Sequence, residues 1–203
     1  MTTREDDPAM SVRQERIIDA ATRVFLRFGF RKTTMDDIAR EGGISRQGLY
    51  LHFASKNAVF QAVVENMLSC MGKSVRDVLD RDDLPVADRL AGACEAFHGL
   101  TVGKVELAAF GELLETASSF AGPRMREMEG KLVADITALL VRTGYAAAWE
   151  AAGISATDLA EHLFAASAGA KYESASLEIY RTRMRVAARI LTHGPGTGGR
   201  TGD

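Results

Sequence analysis

Arg46 and Gln47 stand next to each other in the first turn of an expected short helix. A guanidinium can make two hydrogen bonds to the edge of a guanine, and a carboxamide two to an adenine, so the pair suits the reading of bases in a major groove. Gly48 and Leu51 fall near them on the same open side; Gly48 has no side chain and can only let the backbone come close. Thr34 and Lys56 lie at or near the expected starts of two other helices, where unpaired backbone N–H groups favour an anion such as phosphate. Arg31 and Lys32 add diffuse positive charge, although lone surface cations are more often merely solvated. Other chemistry is poorly supplied. The four histidines, His52, His98, His162 and His193, form no recognisable catalytic set, and GxSxG, HExxH and Walker motifs are missing, so no enzyme, cofactor or metal site is expected. Cys70 and Cys94 lack CxxC or Cys/His ligand spacing; buried reduced thiols are the plain reading and a redox-sensing pair the alternative.

Those side chains need elements to aim them. Thr34 followed three residues later by Asp37 matches a capping box, and Met35, Ile38 and Ala39 then give a short helix one apolar face. Gly42 and Gly43 can take the left-handed conformation that ends a helix. Ser45 is a second N-cap, and Leu49 and Phe53, four apart, supply the buried side of the next helix. A third helix opens at Ser55. Helix, glycine turn and helix in so short a span is the layout of a helix-turn-helix DNA reader, with an ordinary helical hairpin as the bland alternative.

The run T-T-x-x-x-I-A, G-I-S-R, G-L-Y-x-H-F and S-K, between Thr34 and Lys56, resembles the DNA-binding signature of the TetR/AcrR family of bacterial transcriptional regulators. With the preceding helix the resemblance covers roughly Val12 to Met71, and the rest agrees only in length and helical character. It implies that Tyr50 and His52 touch the DNA backbone. The DNA-binding set is then Thr34, Arg46, Gln47, Gly48, Tyr50, Leu51, His52 and Lys56. Gly48 departs from the family, which often carries Ala or Thr there, and a glycine in mid-helix costs roughly 1 kcal/mol in propensity.

The chain's net charge of −2 does not by itself suit nucleic acid, but its distribution does. From Ser11 to Ala58 nine cations face five anions, a balance of +4 that leaves −6 for everything else. A basic head on an acidic body is the asymmetry expected when one end meets phosphate. No apolar run is long enough for a membrane span, and the charged start, Arg4 to Asp7, has no signal-like apolar core, so a cytoplasmic protein without a membrane partner is expected.

Periodicity predicts an all-α fold with no alternating strand. Residues 1–10 read as a disordered arm, 11–55 as the three-helix helix-turn-helix domain, 56–193 as a helical body and the glycine-rich 194–203 as a disordered tail. The first helix should run from about Ser11 to Phe28, burying Ile17, Ala20, Ala21, Val24, Phe25 and Phe28, with Gly29 closing it. The others are expected at about Ser55–Val78, Val86–Leu100, Lys104–Ser118, Pro123–Arg142, Thr157–Ser174 and Ser176–Leu191. A break is expected at Ala121–Pro123, and a loop from Gly144 to Ser155 holds a short turn with Trp149.

The resemblance implies that the body binds a ligand and forms a dimer. The small-residue run Leu163–Ala170 would let helices approach closely. With the last helix it gives an expected homodimer interface of Leu159, Leu163, Ala166, Ala170, Tyr180, Met184, Ala187 and Leu191, or else a seam inside the monomer. Met67, Met71, Phe97, Phe110, Met128, Trp149 and Phe164 are the expected apolar lining of a pocket for a small hydrophobic or amphipathic molecule, though each also suits plain core. The implied mechanism is repression at an inverted-repeat, double-stranded DNA operator, relieved by the ligand. A helical protein-interaction module and a redox-sensing regulator are the alternatives.

Overall fold

The computed structural model describes the backbone of residues 8–103 and 108–194, and the side chains of 12–103 and 115–194. These residues form α1 (Pro8–Lys32), α2 (Met35–Glu41), α3 (Arg46–His52), α4 (Lys56–Leu79), α5 (Val86–His98), α6 (Ala108–Arg142), α7 (Ala147–Glu150), α8 (Ala156–Glu173) and α9 (Leu177–His193), with no strand among them. Of the expected arm, Pro8 to Met10 belong to α1, and residues 1–7 lie outside the described residues, as does the tail beyond Gly194. No described helix is long and apolar enough to cross a membrane.

The chain divides into two compact units, Met1–Ser69 with Glu106–Pro123, and Cys70–Val105 with Arg124–Asp203. In the first, Ile17, Ala20, Ala21, Val24 and Phe25 of α1 are buried as expected, but Phe28 is 46% exposed. The backbone explains this. Gly29 takes φ 78°, ψ 167°, which breaks the helical path inside α1 and turns Phe30, not Phe28, toward the core. There Phe30 stacks on Phe25 and meets Phe60 of α4, with ring centroids 5.8 and 4.8 Å apart. Phe120, from the part of α6 in this unit, adds an edge contact to Phe60 at 6.0 Å.

Two expected helices prove to be one. α6 runs through Pro123, against the expected break. Proline fixes a helical φ, but in a helix interior it loses one backbone bond and its ring presses on the carbonyl four residues back, a cost the continuous helix bears here. The expected start at Lys104 lies outside the described residues.

The second unit has a core in which Leu90, Ala93, Cys94, Ile136, Leu140 and Ala188 are fully buried. Most of its buried polar side chains are paired, as burial demands, although Ser174 Oγ has no hydrogen-bond partner among the described residues. Arg89, only 4% exposed, directs Nε at Leu79 O (2.8 Å), adds an Nη2 bond to the same carbonyl, and places Nη1 2.9 Å from Asp82. It thereby caps the end of α4 with a cation, where the helix dipole is negative. Glu95 accepts a two-bond fork from Arg181 at 2.9 and 2.6 Å, tying α5 to α9, its most extensive partner.

Deeper still, Tyr180 Oη donates to Cys94 O at 2.9 Å and lies 2.6 Å from Ser167 Oγ, which lies 2.7 Å from His98 Nδ1. This chain of hydroxyls and one imidazole joins α5, α8 and α9 inside an apolar core. Burial, and secondarily the charge of Lys171, pulls the His98 pKa from 6.5 to about 4, so the ring is neutral in the folded protein. An unfolded chain takes up the proton at higher pH, so stability is complete above pH 6.5 and falls as the pH drops toward about 4. The loss is on the order of 3 kcal/mol. Urea midpoints measured across that range should fall with pH, and His98→Phe should flatten that part of the profile; an unchanged slope in the variant would assign it to other groups.

Candidate nucleic-acid interface

The helix-turn-helix is assembled from its caps. Thr34 Oγ1 accepts from Asp37 N at 3.2 Å while Asp37 Oδ2 accepts from Thr34 N at 3.0 Å, the reciprocal pair expected from the sequence. Its hydrogen bonds with Thr34 first, and the charge of Arg40 after them, hold the Asp37 carboxyl below its ordinary pKa. Met35, Ile38 and Ala39 are buried. Of the two turn glycines only Gly43 is left-handed, at φ 64°, whereas Gly42 keeps right-handed helical angles. Ser45 Oγ accepts from Gly48 N at 3.0 Å and starts α3.

α3 then shows two unlike faces. Leu49 is fully buried and holds the helix to the unit, helped by half-buried Phe53 beyond its end. Arg46, Gln47 and Tyr50 are exposed, and Leu51 is 82% exposed. His52 is half-buried. Arg46 is not loose: Nη1 is 3.0 Å from Asp36 Oδ2, and its guanidinium lies over the Tyr50 ring, 5.6 Å from the centroid. Asp36 is not legible as a partner in the sequence, because it sits on α2 and no helical spacing links it to residue 46. An exposed pair of this kind is weak and can open when a better acceptor arrives.

Lys56 departs from the expected phosphate contact. Its ammonium donates to Phe30 O and Thr33 O, both at 2.9 Å, and to Arg31 O at 3.4 Å. It also lies 4.5 Å from the centre of the Phe30 ring. The side chain thus points back onto the end of α1 and away from the start of its own helix. The N-terminus of α4 keeps its backbone donors, and Ser55 Oγ caps one of them, Ala58 N, at 3.2 Å.

The expected pocket residues divide. Met67 belongs to the first unit, Met71, Phe97, Met128, Trp149 and Phe164 belong to the second, and the Phe110 side chain lies outside the described residues. Within the second unit they behave as core. Phe97, His98 and Phe164 fill space with their rings, at centroid separations of 4.9, 5.9 and 5.4 Å, and Met71, Met128 and Trp149 pack against the same cluster. Trp149 also donates Nε1–H to Leu191 O at 2.8 Å, so α7 caps the end of α9.

Of the eight residues expected at a dimer face, six are buried within the protomer. Leu159, Leu163, Tyr180, Met184 and Leu191 are no more than 5% exposed and Ala170 is 9% exposed, all of them in the protomer's own core. Ala166 and Ala187 are half-exposed. They join Gly169, Val186 and Ile190 in an open apolar groove of about 560 Å³ between α8 and α9, rimmed by Glu173 and Arg183. Periodicity finds the helices and their apolar character, but each carries apolar residues on two faces, and pattern alone does not tell which one turns inward.

Neither cysteine forms a disulfide; Cys70 is exposed, against expectation, and Cys94 is buried. Burial pushes the Cys94 thiol up to about 12, which leaves almost no thiolate for redox chemistry.

Known proteins agree with this geometry. The family described as bacterial regulatory proteins, tetR family, matches residues 17–63. An uncharacterized HTH-type transcriptional regulator of Bacillus subtilis, YfiR, is 46% identical over 56 residues, 28% of this chain and 27% of that protein. The HTH-type transcriptional activator FasR of Mycolicibacterium smegmatis is 35% identical over 85 residues, 42% of this chain and 38% of the relative. The match thus spans well under half the length of these curated relatives, and both carry a regulator's name, not an enzyme's. Over the longer range, a TetR-like transcriptional regulator from Rhodococcus sp. RHA1 shares the fold with a TM-score of 0.59 at 23% identity, covering 91% of this chain and 98% of that one. Residues 17–63 thus match a tetR-type head whose caps, turn and two-faced α3 are all in place, within a chain that shares the fold of a TetR-like structure nearly end to end.

Proposed function

We propose that the chain is a homodimeric transcriptional regulator that binds an inverted-repeat operator in double-stranded DNA and acts as a repressor released by a small molecule. The observation that carries DNA reading is α3 itself: one face sealed by buried Leu49, the other offering exposed Arg46, Gln47 and Leu51. Gln47 is placed to bond a base edge, and exposed Leu51 suits a thymine methyl group. Arg46 trades Asp36 for guanine or phosphate. Tyr50, His52, Thr34 and the backbone donors at the start of α4 serve the phosphates.

The α8–α9 groove supports the dimer. Ile179, Val186 and Ile190 are 44–60% exposed along α9, and a second copy covering them would bury an apolar face that otherwise meets water. A two-fold dimer then sets two α3 helices on successive major grooves, roughly 34–36 Å apart. A hydrophobic or amphipathic ligand in the second unit must part the Phe97, His98 and Phe164 rings. It alters DNA affinity only by binding the two states of the protein unequally.

Two measurements test this. In fluorescence anisotropy, duplexes enriched from a random library should bind more tightly than scrambled ones and release with rising salt. Gln47→Ala should change base preference, whereas Tyr50→Phe should weaken all sequences alike; equal affinity for enriched and scrambled duplexes removes the reading. Light scattering should give a dimer for the protein and a monomer for Ile190→Glu, since residue 190 is 60% exposed and the change leaves the protomer core intact. A wild-type monomer, or a variant that stays dimeric, would rule out this face.

A further inference from the structure

We propose that Lys56 serves DNA binding as a positioning residue, through the fold, and makes no phosphate contact of its own. The inference rests on the DNA-binding reading above and concerns how the reading helix is held. An ammonium has three N–H donors. In Lys56 they have three acceptors, Phe30 O, Thr33 O and Arg31 O, at 2.9, 2.9 and 3.4 Å, with the Phe30 ring face beside the charge at 4.5 Å. A phosphate oxygen could be bonded only by giving up one of these.

The acceptors are the chain's own need. Gly29 breaks the helical path of α1 shortly before its end, and the last carbonyls of any helix have no partners within it. Thr33 Oγ1 returns a bond to Gly29 O at 2.7 Å, and Thr33 is almost wholly buried. Lys56 comes to these carbonyls from the opposite end of the motif, the first turn of α4. Residues 30–33 lead directly into the Thr34 cap of α2, so the ammonium fixes where α2 begins relative to α4. α2 and α3 are strung between those two points, and the side chain acts as a clasp across them.

The test uses the full chain, a random-sequence 30-base-pair duplex and the variants Lys56→Met and Lys56→Arg, at a temperature where circular dichroism shows each folded. If Lys56 bonded a phosphate directly, Lys56→Met would lower the slope of log affinity against log salt by about 0.9. Lys56→Arg would then keep the wild-type affinity, since a guanidinium binds phosphate well. A clasp predicts a several-fold loss of affinity in both variants with the wild-type slope retained, because a planar fork does not fit a cradle of three carbonyls. It further predicts faster amide exchange in Thr33 to Ile38. A lowered slope with unchanged exchange overturns the proposal, and so does a variant unchanged in both readouts. If the wild-type chain binds no duplex, the DNA-binding reading fails instead, and the amide exchange still decides whether the clasp exists.

Discussion

Unpaired backbone groups at helix ends are the constraint on which this protein is built. A helix leaves its first four N–H and last four C=O groups without internal partners, so in α2 and α3, of seven residues each, more groups are orphaned than paired. Such helices are not stable alone. Thr34 with Asp37, and Ser45, supply the missing acceptors at their starts, while Lys56 supplies donors where α1 ends. The same solution returns in the second unit. Arg89 closes the end of α4, Trp149 closes α9, and Ser155 with Asp158 repeats the capping box at the start of α8. Helix ends thus fix the positions of helices whose apolar faces alone would permit sliding.

Polar groups deep in the second unit do a related task. The line from His98 through Ser167 and Tyr180 to Cys94 O can be satisfied only when α5, α8 and α9 hold one register. Breaking it strands buried donors and acceptors, each costing about 1–3 kcal/mol. Apolar contacts tolerate repacking better than this. Any conformational change in the unit must therefore either keep this line whole or find new partners for every group in it, which favours a switch between two discrete packings over gradual deformation.

What can be read from the chain follows from the range of each interaction. Caps are local, so Thr34 with Asp37, Ser45 and the bounds of α4 are legible. The charge of the head and the four-residue spacing of Leu49 and Phe53 are legible for the same reason. Phe28 is misplaced by pattern because Gly29 reads as an end, whereas it is a bend that hands the core position to Phe30. The hydrogen-bond partners of Lys56 and Arg46 are not legible for a different reason: they lie outside their own helices, with Phe30 and Thr33 far back in sequence and Asp36 on α2. Six of the eight expected interface residues turn into the protomer's own core because α8 and α9 are apolar on two sides. Single-helix periodicity finds both stripes, and only packing tells which is inside.

Gly48 shows how cap and reading face are joined. In sequence it is a flaw in a short helix, costing roughly 1 kcal/mol of propensity. In the fold its N–H is the one that Ser45 caps, and a Cβ there would meet Ser45 Oγ at 3.2 Å, tighter than most such contacts. A larger residue would therefore press on the cap that α3 depends on, and glycine removes that conflict. The same absence leaves a gap on the open face between Gln47 and Leu51, where backbone can approach a base pair closely. On the proposed DNA-reading function, specificity then falls to the side chains flanking the gap, the amide of Gln47 and the uncovered apolar surface of Leu51, while Arg46 is paired with Asp36.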